Sequence, residues 1–227
     1  MLGLFSSPDG LRRTRFHDEK GNRVDAAGMV YAPAAFLTAA AKRLFGWRPH
    51  RPMISYRAQR VLAARLKPDS LAVEFGSGMS TPWLAVRCGR LVSFEDHPGW
   101  AERVRRMLAE KTIGNVDYRV RPSDAFADVG DLADGSVDFA LIDGTDREGC
   151  ARAILAKMRV GGTIYLDNSD KDMTNPTGDV RRTEAVLREA AEQSGWPIRL
   201  FTDFSPTNFF AEQGMLIDVT SPWRGPT

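Results

Sequence analysis

The sequence predicts an α/β protein with a seven-stranded, mostly parallel β-sheet, helices on both faces of the sheet and an antiparallel last strand. From residue 71 onward, short β-branched or apolar runs alternate with segments of helical periodicity, an order typical of βαβ units. The last two runs are separated only by residues 202–213, which contain Pro206 and lack helical periodicity. This separation is too short for a right-handed helical crossover, so the last two strands are predicted to pair antiparallel.

Seven apolar runs are the predicted strands, and segments with helical spacing connect most of them. Apolar residues recur at that spacing after Pro98. A later helix is predicted to end at Gly195, because glycine readily adopts the left-handed conformation that follows many helices. The predicted helices include residues 34–44, 55–66 and 180–193. The predicted strands span residues 71–75, 91–94, 116–120, 137–142, 163–166, 198–201 and 214–219.

The composition fits one main domain preceded by a basic segment. The chain has 227 residues, of which 43% are hydrophobic and 26% are charged, as in ordinary globular proteins. The formal net charge is +2, which gives no reason to expect a general nucleic-acid binder. Residues 1–70 nevertheless carry 13 Lys and Arg against 5 Asp and Glu, whereas residues 71–227 carry 18 against 24. We predict an N-terminal helical cap over residues 1–54 and a main domain over residues 55–227.

Two cysteines, Cys88 and Cys150, have no His or Cys neighbours at metal-ligand spacing. They are predicted to be small buried side chains in a reducing compartment, rather than a disulfide or a zinc site. Early charged residues and the lack of a nearby apolar run argue against a signal peptide. The longest uncharged stretch, residues 26–41, has 16 residues, whereas a membrane-spanning helix needs about 20. The sequence thus predicts a cytoplasmic protein without a transmembrane segment.

A glycine-containing loop follows the first predicted strand and has the sequence Glu74-Phe75-Gly76-Ser77-Gly78. Glycines at 76 and 78 let the backbone approach a ligand at the carboxyl end of the sheet, where open α/β folds bind ligands. Thr81 is predicted to cap the next helix, with Pro82 in its first turn. Glu95 ends the second strand, where a carboxylate accepts hydrogen bonds from ribose hydroxyls. These features predict a nucleoside-containing ligand.

Glu74 helps to distinguish two classes of nucleoside ligand. A dinucleotide would place its anionic pyrophosphate near this carboxylate, which precedes the first glycine by two residues, and the two groups would repel each other. A ligand with an ammonium group would be attracted instead. The third glycine of the dinucleotide fingerprint is also replaced, by Thr81. The residues therefore favour an aminoacyl nucleoside over NAD.

With these motifs, residues 55–219 resemble the class I S-adenosylmethionine-dependent methyltransferases, whose seven-stranded sheet is Rossmann-like. The resemblance implies S-adenosylmethionine as the cofactor and a methyltransferase domain over residues 55–227. One departure is Ser80, which replaces the third glycine often found in the loop of this family. The motifs that carry the resemblance are the loop at residues 74–78, Glu95, Ser123-Asp124-Ala125, Leu141-Ile142-Asp143-Gly144 and Gly161-Gly162-Thr163.

The resemblance also implies where each part of the cofactor lies. Glu74, Gly76 and Gly78 would border the methionine part, and Glu95 would bind the ribose. Residues 124 and 125 would border the adenine. The full set of predicted cofactor-binding residues is Glu74, Gly76, Ser77, Gly78, Thr81, Glu95, Asp96, Ser123, Asp124, Ala125 and Asp143.

Asp143, at the end of the fourth strand, is the predicted catalytic or acceptor-orienting residue. Methyl transfer requires donor and acceptor held in line about 3–3.5 Å apart, with a base where the acceptor is a hydroxyl. The alternative is that Asp143 caps the helix near Arg147 or only positions the loop. Asp143, Asp167 and Asn168 together offer oxygen ligands for Mg²⁺, as in metal-dependent catechol-type O-methyltransferases. Those enzymes place a basic residue where Asp146 stands here, so a site without a catalytic metal is preferred.

The predicted class of methyl acceptor rests mainly on motifs that the sequence lacks. The sequence contains neither the Asn/Asp-Pro-Pro-aromatic tetrapeptide of amino-methylating nucleic-acid enzymes nor the Pro-Cys pair of cytosine-carbon enzymes. A small-molecule or glycan-like acceptor, methylated at oxygen, is the default, and no nucleic-acid partner is expected. Two alternatives stay open: a Rossmann-type NAD-dependent oxidoreductase, and a non-catalytic module that binds S-adenosylmethionine.

The basic N-terminal segment permits two interpretations. An amphipathic cap would rest on an anionic membrane surface or attract an acidic acceptor. The preferred interpretation is a helix that covers the active-site cleft and turns its Arg and Lys side chains to water. The basic residues that flank the Ala-rich stretch are Arg43, Arg48, Arg51, Arg57 and Arg60.

Overall fold

In the computed structural model, which describes residues 10–225, seven strands form one mixed sheet. The strands are β1 Leu71–Phe75, β2 Arg90–Glu95, β3 Val116–Val120, β4 Val137–Ile142, β5 Met158–Leu166, β6 Ile198–Ser205 and β7 Asn208–Asp218. Their order is β3-β2-β1-β4-β5-β7-β6. Strands β1 to β5 are parallel, and β7 is antiparallel to both β5 and β6. The predicted fold class and the predicted antiparallel pair are confirmed. Residues 1–9 of the predicted cap lie outside the described residues.

The helices are α1 Ala26–Met29, α2 Ala32–Phe45, α3 Tyr56–Arg65, α4 Ser80–Ala85, α5 Pro98–Glu110, α6 Arg147–Leu155 and α7 Asp179–Ser194, with a 3-10 helix at Ser123–Ala125. Helix α7 ends at Gly195 in the left-handed conformation, as predicted. The prediction that Thr81 caps α4 is wrong, because the helix already begins at Ser80. The Thr81 hydroxyl instead accepts from the Gly78 N–H and donates to the buried Glu74 carboxylate. No helix within the described residues is long and apolar enough to cross a membrane.

Three strands extend several residues further than the sequence predicted. Strands β6 and β7 continue through residues 202–213, which were predicted to be an irregular connection, and only a tight turn with Thr207 at φ 69° separates them. Strand β5 begins at Met158 and includes two glycines, and its register with β4 shifts in this region. Pairing with a neighbouring strand stabilises these segments although their composition is a weak strand signal.

The sheet separates two apolar cores, because β1, β2 and β4 are buried on both faces and their side chains alternate between them. One core, closed by α6 and α7, includes Phe75, Phe94, Ile142, Ile154 and Leu187. The other, closed by α3 and α4, includes Leu62, Ala72, Leu84, Leu91 and Leu141. This rigid frame presents the carboxyl ends of the parallel strands at one edge of the sheet.

The segment at residues 10–25 is held against β6 and β7 by buried polar contacts. Asp18 is 0% exposed. Its carboxylate accepts hydrogen bonds from the backbone N–H of Asn22 (2.8 Å), the Thr202 hydroxyl (2.8 Å) and the Gln213 side-chain amide (3.1 Å). The N-terminal segment therefore forms part of the folded structure and contacts the two strands that close the sheet.

We expect Asp18→Ala to lower the free energy of unfolding by about 1–3 kcal/mol, because the Thr202 hydroxyl and the Gln213 side-chain amide lose this acceptor. Urea unfolding followed by circular dichroism measures this change. Asp69→Ala, at an exposed position, is the matched control and should change stability by less than about 0.5 kcal/mol. Equal stabilities of the two variants would contradict the assigned role of Asp18.

Candidate active site

The loop after β1 meets the loop after β4 at the carboxyl edge of the sheet. Gly76 has φ 95°, and a Cβ atom there would lie 2.6 Å from the backbone N of Gly144. A side chain at this position would push the two loops apart, so the contact requires glycine. Gly78 is less confined, since the nearest atoms to a Cβ there, in Ser80 and Trp100, would be 3.9 Å away. The space beside Gly78 is therefore open.

Glu74 is fully buried at the end of β1. Its Oε2 atom accepts hydrogen bonds from the hydroxyls of Thr81 (2.7 Å) and Ser93 (2.6 Å). The other oxygen, Oε1, has no hydrogen-bond partner in good geometry among the described residues. Burial raises the pKa of Glu74 to about 7, although the neighbouring Ser80, Ser93 and Thr81 hydroxyls favour its ionised form.

These features fit the ammonium group of an aminoacyl nucleoside. An ammonium group donates hydrogen bonds and carries positive charge, so it would both satisfy Oε1 of Glu74 and stabilise the ionised carboxylate. A pyrophosphate has no such effect, because it accepts hydrogen bonds and is negatively charged. The surroundings of Glu74 therefore suit S-adenosylmethionine better than NAD.

Glu95 ends β2 and is 5% exposed. Its carboxylate accepts hydrogen bonds from Ser77 Oγ (2.5 Å) and from the backbone N–H of His97 (3.0 Å). Ser77 Oγ also lies 2.7 Å from the Tyr118 hydroxyl, and Trp100 Nε1 donates to the Ser77 carbonyl oxygen at 2.8 Å. Sequence reasoning identified Ser77 and Glu95 but missed Tyr118 and Trp100. Those two residues reach the loop only because β3 pairs with β2 and α5 packs beside the loop.

The other predicted cofactor-binding residues lie further along the same edge. Asp96 follows β2 and is exposed. Ser123, Asp124 and Ala125 form the 3-10 helix after β3, and the first two are exposed. The structure therefore brings these residues to the carboxyl ends of two adjacent strands, in the order that the resemblance implies.

Asp143 follows β4 and is paired with Arg147. Nη2 of Arg147 donates to Asp143 Oδ1 at 2.9 Å, Nε donates to the Gly144 carbonyl oxygen at 3.0 Å, and Nη1 donates to the Asp167 carbonyl oxygen at 2.8 Å. One guanidinium group thus joins the ends of β4 and β5. The alternative that Asp143 caps the following helix is wrong, because Asp146 is the capping residue.

Three acidic side chains face this end of the sheet. The Asp143 side chain is 38% exposed, and its low-dielectric surroundings raise its pKa while Arg147 lowers it. The pKa of the buried Asp167 is raised well above its ordinary value by burial and by the charges of Asp143 and Glu212. Burial also raises the pKa of Glu212, a residue of β7 that sequence reasoning missed. Mutual repulsion favours the retention of a proton among these carboxyl groups.

Two of the residues considered as magnesium ligands have protein partners in this structure. The Asn168 side-chain amide donates to Glu212 Oε1 at 3.2 Å, and Arg147 binds the Asp143 carboxylate. Within residues 10–225, no three His, Cys, Asp or Glu side chains form a group that could hold a metal ion.

A cavity of about 620 Å³ lies at the opposite edge of the sheet, where Lys67, Asp138 and Arg159 contribute to its lining. That edge holds the amino ends of the central parallel strands. Open α/β folds bind ligands at the carboxyl ends instead, and the buried acidic groups described above are also at that edge. The carboxyl edge is therefore the candidate active site.

Comparisons with known proteins also indicate a methyltransferase domain. Residues 73–169 match the model of a family described as a methyltransferase domain. No curated protein matches the sequence. Among solved structures, the chain is similar to an O-methyltransferase involved in tomaymycin synthesis from Streptomyces achromogenes, in complex with SAM, with TM-score 0.59 and 20% identity over 87% of this chain and 97% of that chain.

Two further solved structures have similar folds. One is an O-methyltransferase from Bacillus cereus in complex with SAH, with TM-score 0.58 and 18% identity over 83% of this chain and 90% of that chain. The other is an rRNA methylase from Streptococcus thermophilus, with TM-score 0.56 and 17% identity over 75% of this chain and 100% of that chain. At these identities the likenesses support the fold and leave the acceptor open.

The matched segment extends from β1 into the loop after β5 and therefore contains the buried carboxylates of the candidate site. Together with the strand order, this match of a methyltransferase domain over residues 73–169 supports the resemblance to the class I S-adenosylmethionine-dependent methyltransferases that the sequence indicates. The resemblance drawn from the sequence is confirmed.

We expect the stability of the cofactor-free protein to fall, relative to that of Glu74→Gln, as the pH rises from about 5 to about 8. The folded state raises the pKa of Glu74 from 4.5 to about 7, so it binds a proton more tightly than the unfolded chain does. This contribution to stability is fully present below the unfolded pKa and is lost as the pH rises through the folded pKa. The full shift corresponds to roughly 3 kcal/mol.

Urea unfolding of both proteins across this pH range measures the difference, because the glutamine variant retains the shape but does not titrate. Other titrating groups contribute equally to the two proteins and cancel. Parallel stability profiles would contradict the raised pKa of Glu74.

Proposed function

We propose that the protein transfers the methyl group of S-adenosylmethionine to an oxygen atom of a small-molecule or saccharide-type acceptor. The bound cofactor supplies an electrophilic methyl group, whose bond to sulfur breaks as the acceptor oxygen attacks. The protein residues hold donor and acceptor in line, exclude water and take up the hydroxyl proton. The matched methyltransferase domain and the geometry at the carboxyl edge support this proposal.

The observation that carries the proposal is the unpartnered Oε1 atom of Glu74. A buried carboxylate whose Oε1 atom lacks a hydrogen bond in good geometry attracts an ammonium group and repels a pyrophosphate. We assign Glu74 to the methionine end of the cofactor, and Gly78 to the open space beside it. Binding there would also favour the ionised form of Glu74.

Glu95 is proposed to accept hydrogen bonds from the ribose hydroxyls. Its carboxylate oxygens accept from Ser77 and His97, and each oxygen has a further lone pair available. The Tyr118 hydroxyl and the Ser77 hydroxyl lie at the same place and orient the carboxylate. The exposed Asp96 and the 3-10 helix with Asp124 are assigned to the outer side of the ribose and to the adenine.

Asp143 is proposed to accept the proton of the acceptor hydroxyl. Its side chain is partly exposed, whereas Asp167 behind it is buried. The raised pKa of Asp143 brings this carboxylate closer to neutral pH, which improves a general base. Arg147 holds the carboxylate in one orientation through Oδ1 and leaves Oδ2 for the acceptor.

Two observations favour a small acceptor over RNA. Residues 71–227, which contain the candidate site, carry 18 basic against 24 acidic residues, so their field repels a phosphate backbone. The acidic side chains of Asp143, Asp167 and Glu212 also lie at the acceptor end of the site. These charges suit a neutral hydroxyl compound.

The location and organisation of the chain belong to the same proposal. Both cysteines are buried and unpaired, as suits a reducing compartment, and we propose a cytoplasmic enzyme. We also propose residues 55–227 as the catalytic domain, with residues 1–54 as an N-terminal extension.

We expect Glu95→Gln to weaken the binding of S-adenosylhomocysteine by roughly tenfold to a hundredfold, because hydrogen bonds to a charged acceptor contribute about 1.5–3 kcal/mol. Isothermal titration measures the affinity, with the exposed Glu110→Gln as the control. The same titration with NAD tests the oxidoreductase alternative. Heat from NAD and none from S-adenosylhomocysteine would overturn the proposal.

We expect Asp143→Asn to lower kcat by about 10²–10⁴, the usual contribution of a general base, with less change in the affinity for S-adenosylhomocysteine. The wild-type rate should rise with pH as Asp143 ionises, and the variant should lose that limb of the profile. Turnover is followed with labelled S-adenosylmethionine and a library of hydroxyl compounds and sugars.

Ribosomal RNA is included as a separate acceptor in this assay. Methylation of RNA and of no small compound would refute the acceptor class while leaving methyl transfer intact. Cofactor binding without turnover on any acceptor would instead favour the non-catalytic binding module.

A further inference from the structure

Helix α2 packs on the protein through one face and exposes apolar residues on the opposite face. Ala35 is fully buried, and Thr38 Oγ1 accepts a hydrogen bond from the backbone N–H of Thr207 at 3.0 Å. On the other side, Leu37 and Leu44 are 66% and 71% exposed. These leucines are seven residues apart, or about two helical turns, so they lie on the same stripe of the helix.

The apolar exposure continues beyond the two leucines. A surface helix usually buries its large apolar side chains, whereas α2 buries only the small Ala35 and exposes larger apolar side chains. Single exposed apolar residues are ordinary, but a contiguous set marks a contact surface. The exposed large apolar residues in and beside α2 are Met29, Val30, Phe36, Leu37, Leu44, Phe45 and Trp47.

This surface is also strongly basic. Residues 26–68 contain eight Lys and Arg and no Asp or Glu. Arg57 is neutralised by Asp25, with 2.7 Å between Nη1 and Oδ2. Within residues 10–225, no ion pair is formed by Arg43, Arg48 or Arg51. The charges of these three arginines are therefore not neutralised by an ion pair in the described part of the chain.

A groove of about 260 Å³ beside the start of α2 is lined by Arg51 and by two further arginines. Its lining includes Arg51, Arg60, Arg87 and Tyr31, and no acidic residue. Tyr31 is also the residue that precedes α2. The pKa of Arg87 is lowered by burial and by the nearby charge of Arg51, which shows that these cations are close together. An anionic group in the groove would relieve their repulsion.

We propose that α2, with residues 46–51, binds the surface of an anionic phospholipid membrane. The apolar stripe, defined by Leu37, Leu44, Phe45 and Trp47, enters the boundary between headgroups and acyl chains. The basic rim, defined by Arg43, Arg48 and Arg51, contacts lipid phosphates. The groove beside Tyr31 takes a headgroup phosphate.

Charge and apolar exposure together distinguish an anionic membrane from the other possible partners of this surface. A second copy paired through the same face would bring two sets of unneutralised arginines together, which is unfavourable. Nucleic acid would satisfy the arginines but leave Leu37, Leu44 and Phe45 in water. An anionic bilayer satisfies both the apolar stripe and the basic rim.

The position of α2 links this surface to the candidate active site. The Phe36 ring packs against Phe209 of β7 with centroids 5.3 Å apart, and Glu212 lies further along the same strand. A membrane bound to α2 would therefore lie on the side of the molecule that carries the acceptor end of the site. The proposal itself does not depend on methyl transfer.

The test is co-sedimentation of the whole protein with phosphatidylcholine vesicles, with and without phosphatidylglycerol. We expect binding only to the vesicles that contain phosphatidylglycerol, and weaker binding as salt is raised. Leu37→Ser with Leu44→Ser should lower the partition coefficient by roughly tenfold or more. Arg43→Glu with Arg48→Glu should have an effect of at least that size.

Val160→Ser is the matched control, because Val160 is 51% exposed and lies on β5 away from α2. It should bind as the wild type does, and unchanged circular dichroism and unchanged S-adenosylhomocysteine affinity establish that the α2 variants are folded. Equal binding to both kinds of vesicle, or to neither, would overturn the proposal.

Two other outcomes would assign the face to a different partner and also overturn it. Sedimentation equilibrium that shows a dimer of the wild type, dissociated by the leucine substitutions, would assign it to a second copy. RNA binding that depends on the arginines and survives the leucine substitutions would assign it to nucleic acid.

Discussion

The close contact between Gly76 and Gly144 is the constraint on which the candidate site depends. It brings the loop after β1 against the loop after β4 with no room for a Cβ atom. Glu74 and Asp143, which belong to the two joined strand ends, are thereby held close enough for their charges to interact. Hydrogen bonding between the parallel strands fixes the positions of Glu74 and Asp143 along the strand direction, since Glu74 pairs in register with Leu141. A flexible linkage at this point would not maintain the geometry that in-line transfer requires.

Burial of acidic groups at this edge has opposite consequences for stability and function. Glu74 and Asp167 lose hydration on folding, so each folded-state pKa rises. Hydroxyl donors around Glu74 offset part of that cost, and Arg147 does so for Asp143. The remaining unsatisfied negative potential is what makes the edge receptive to a cation. The same acids that destabilise the empty protein at high pH therefore prepare it for a positively charged ligand.

The two parts of the N-terminal extension differ in their physical character. Residues 10–25 are held by buried polar groups such as Asp18. The Asp18 carboxylate accepts hydrogen bonds from side chains of both β6 and β7. Helix α2 buries few side chains and exposes Leu37 and Leu44. The first part completes the sheet edge, whereas the second presents a surface to a partner. The preferred sequence-based interpretation, a cap with only its charged groups in water, misses this exposed apolar stripe.

The sequence by itself determined the fold class, the antiparallel end of the sheet and the strand-end positions of Glu74, Glu95 and Asp143. Those features follow from local patterns, because strands buried on both faces must be apolar and loops at their ends carry polar residues. Tertiary structure alone decided the extent of the β6–β7 hairpin and the contacts of Tyr118, Arg147 and Glu212. Strand pairing and side-chain partners depend on segments far apart in the chain, and no local periodicity encodes which of those segments meet.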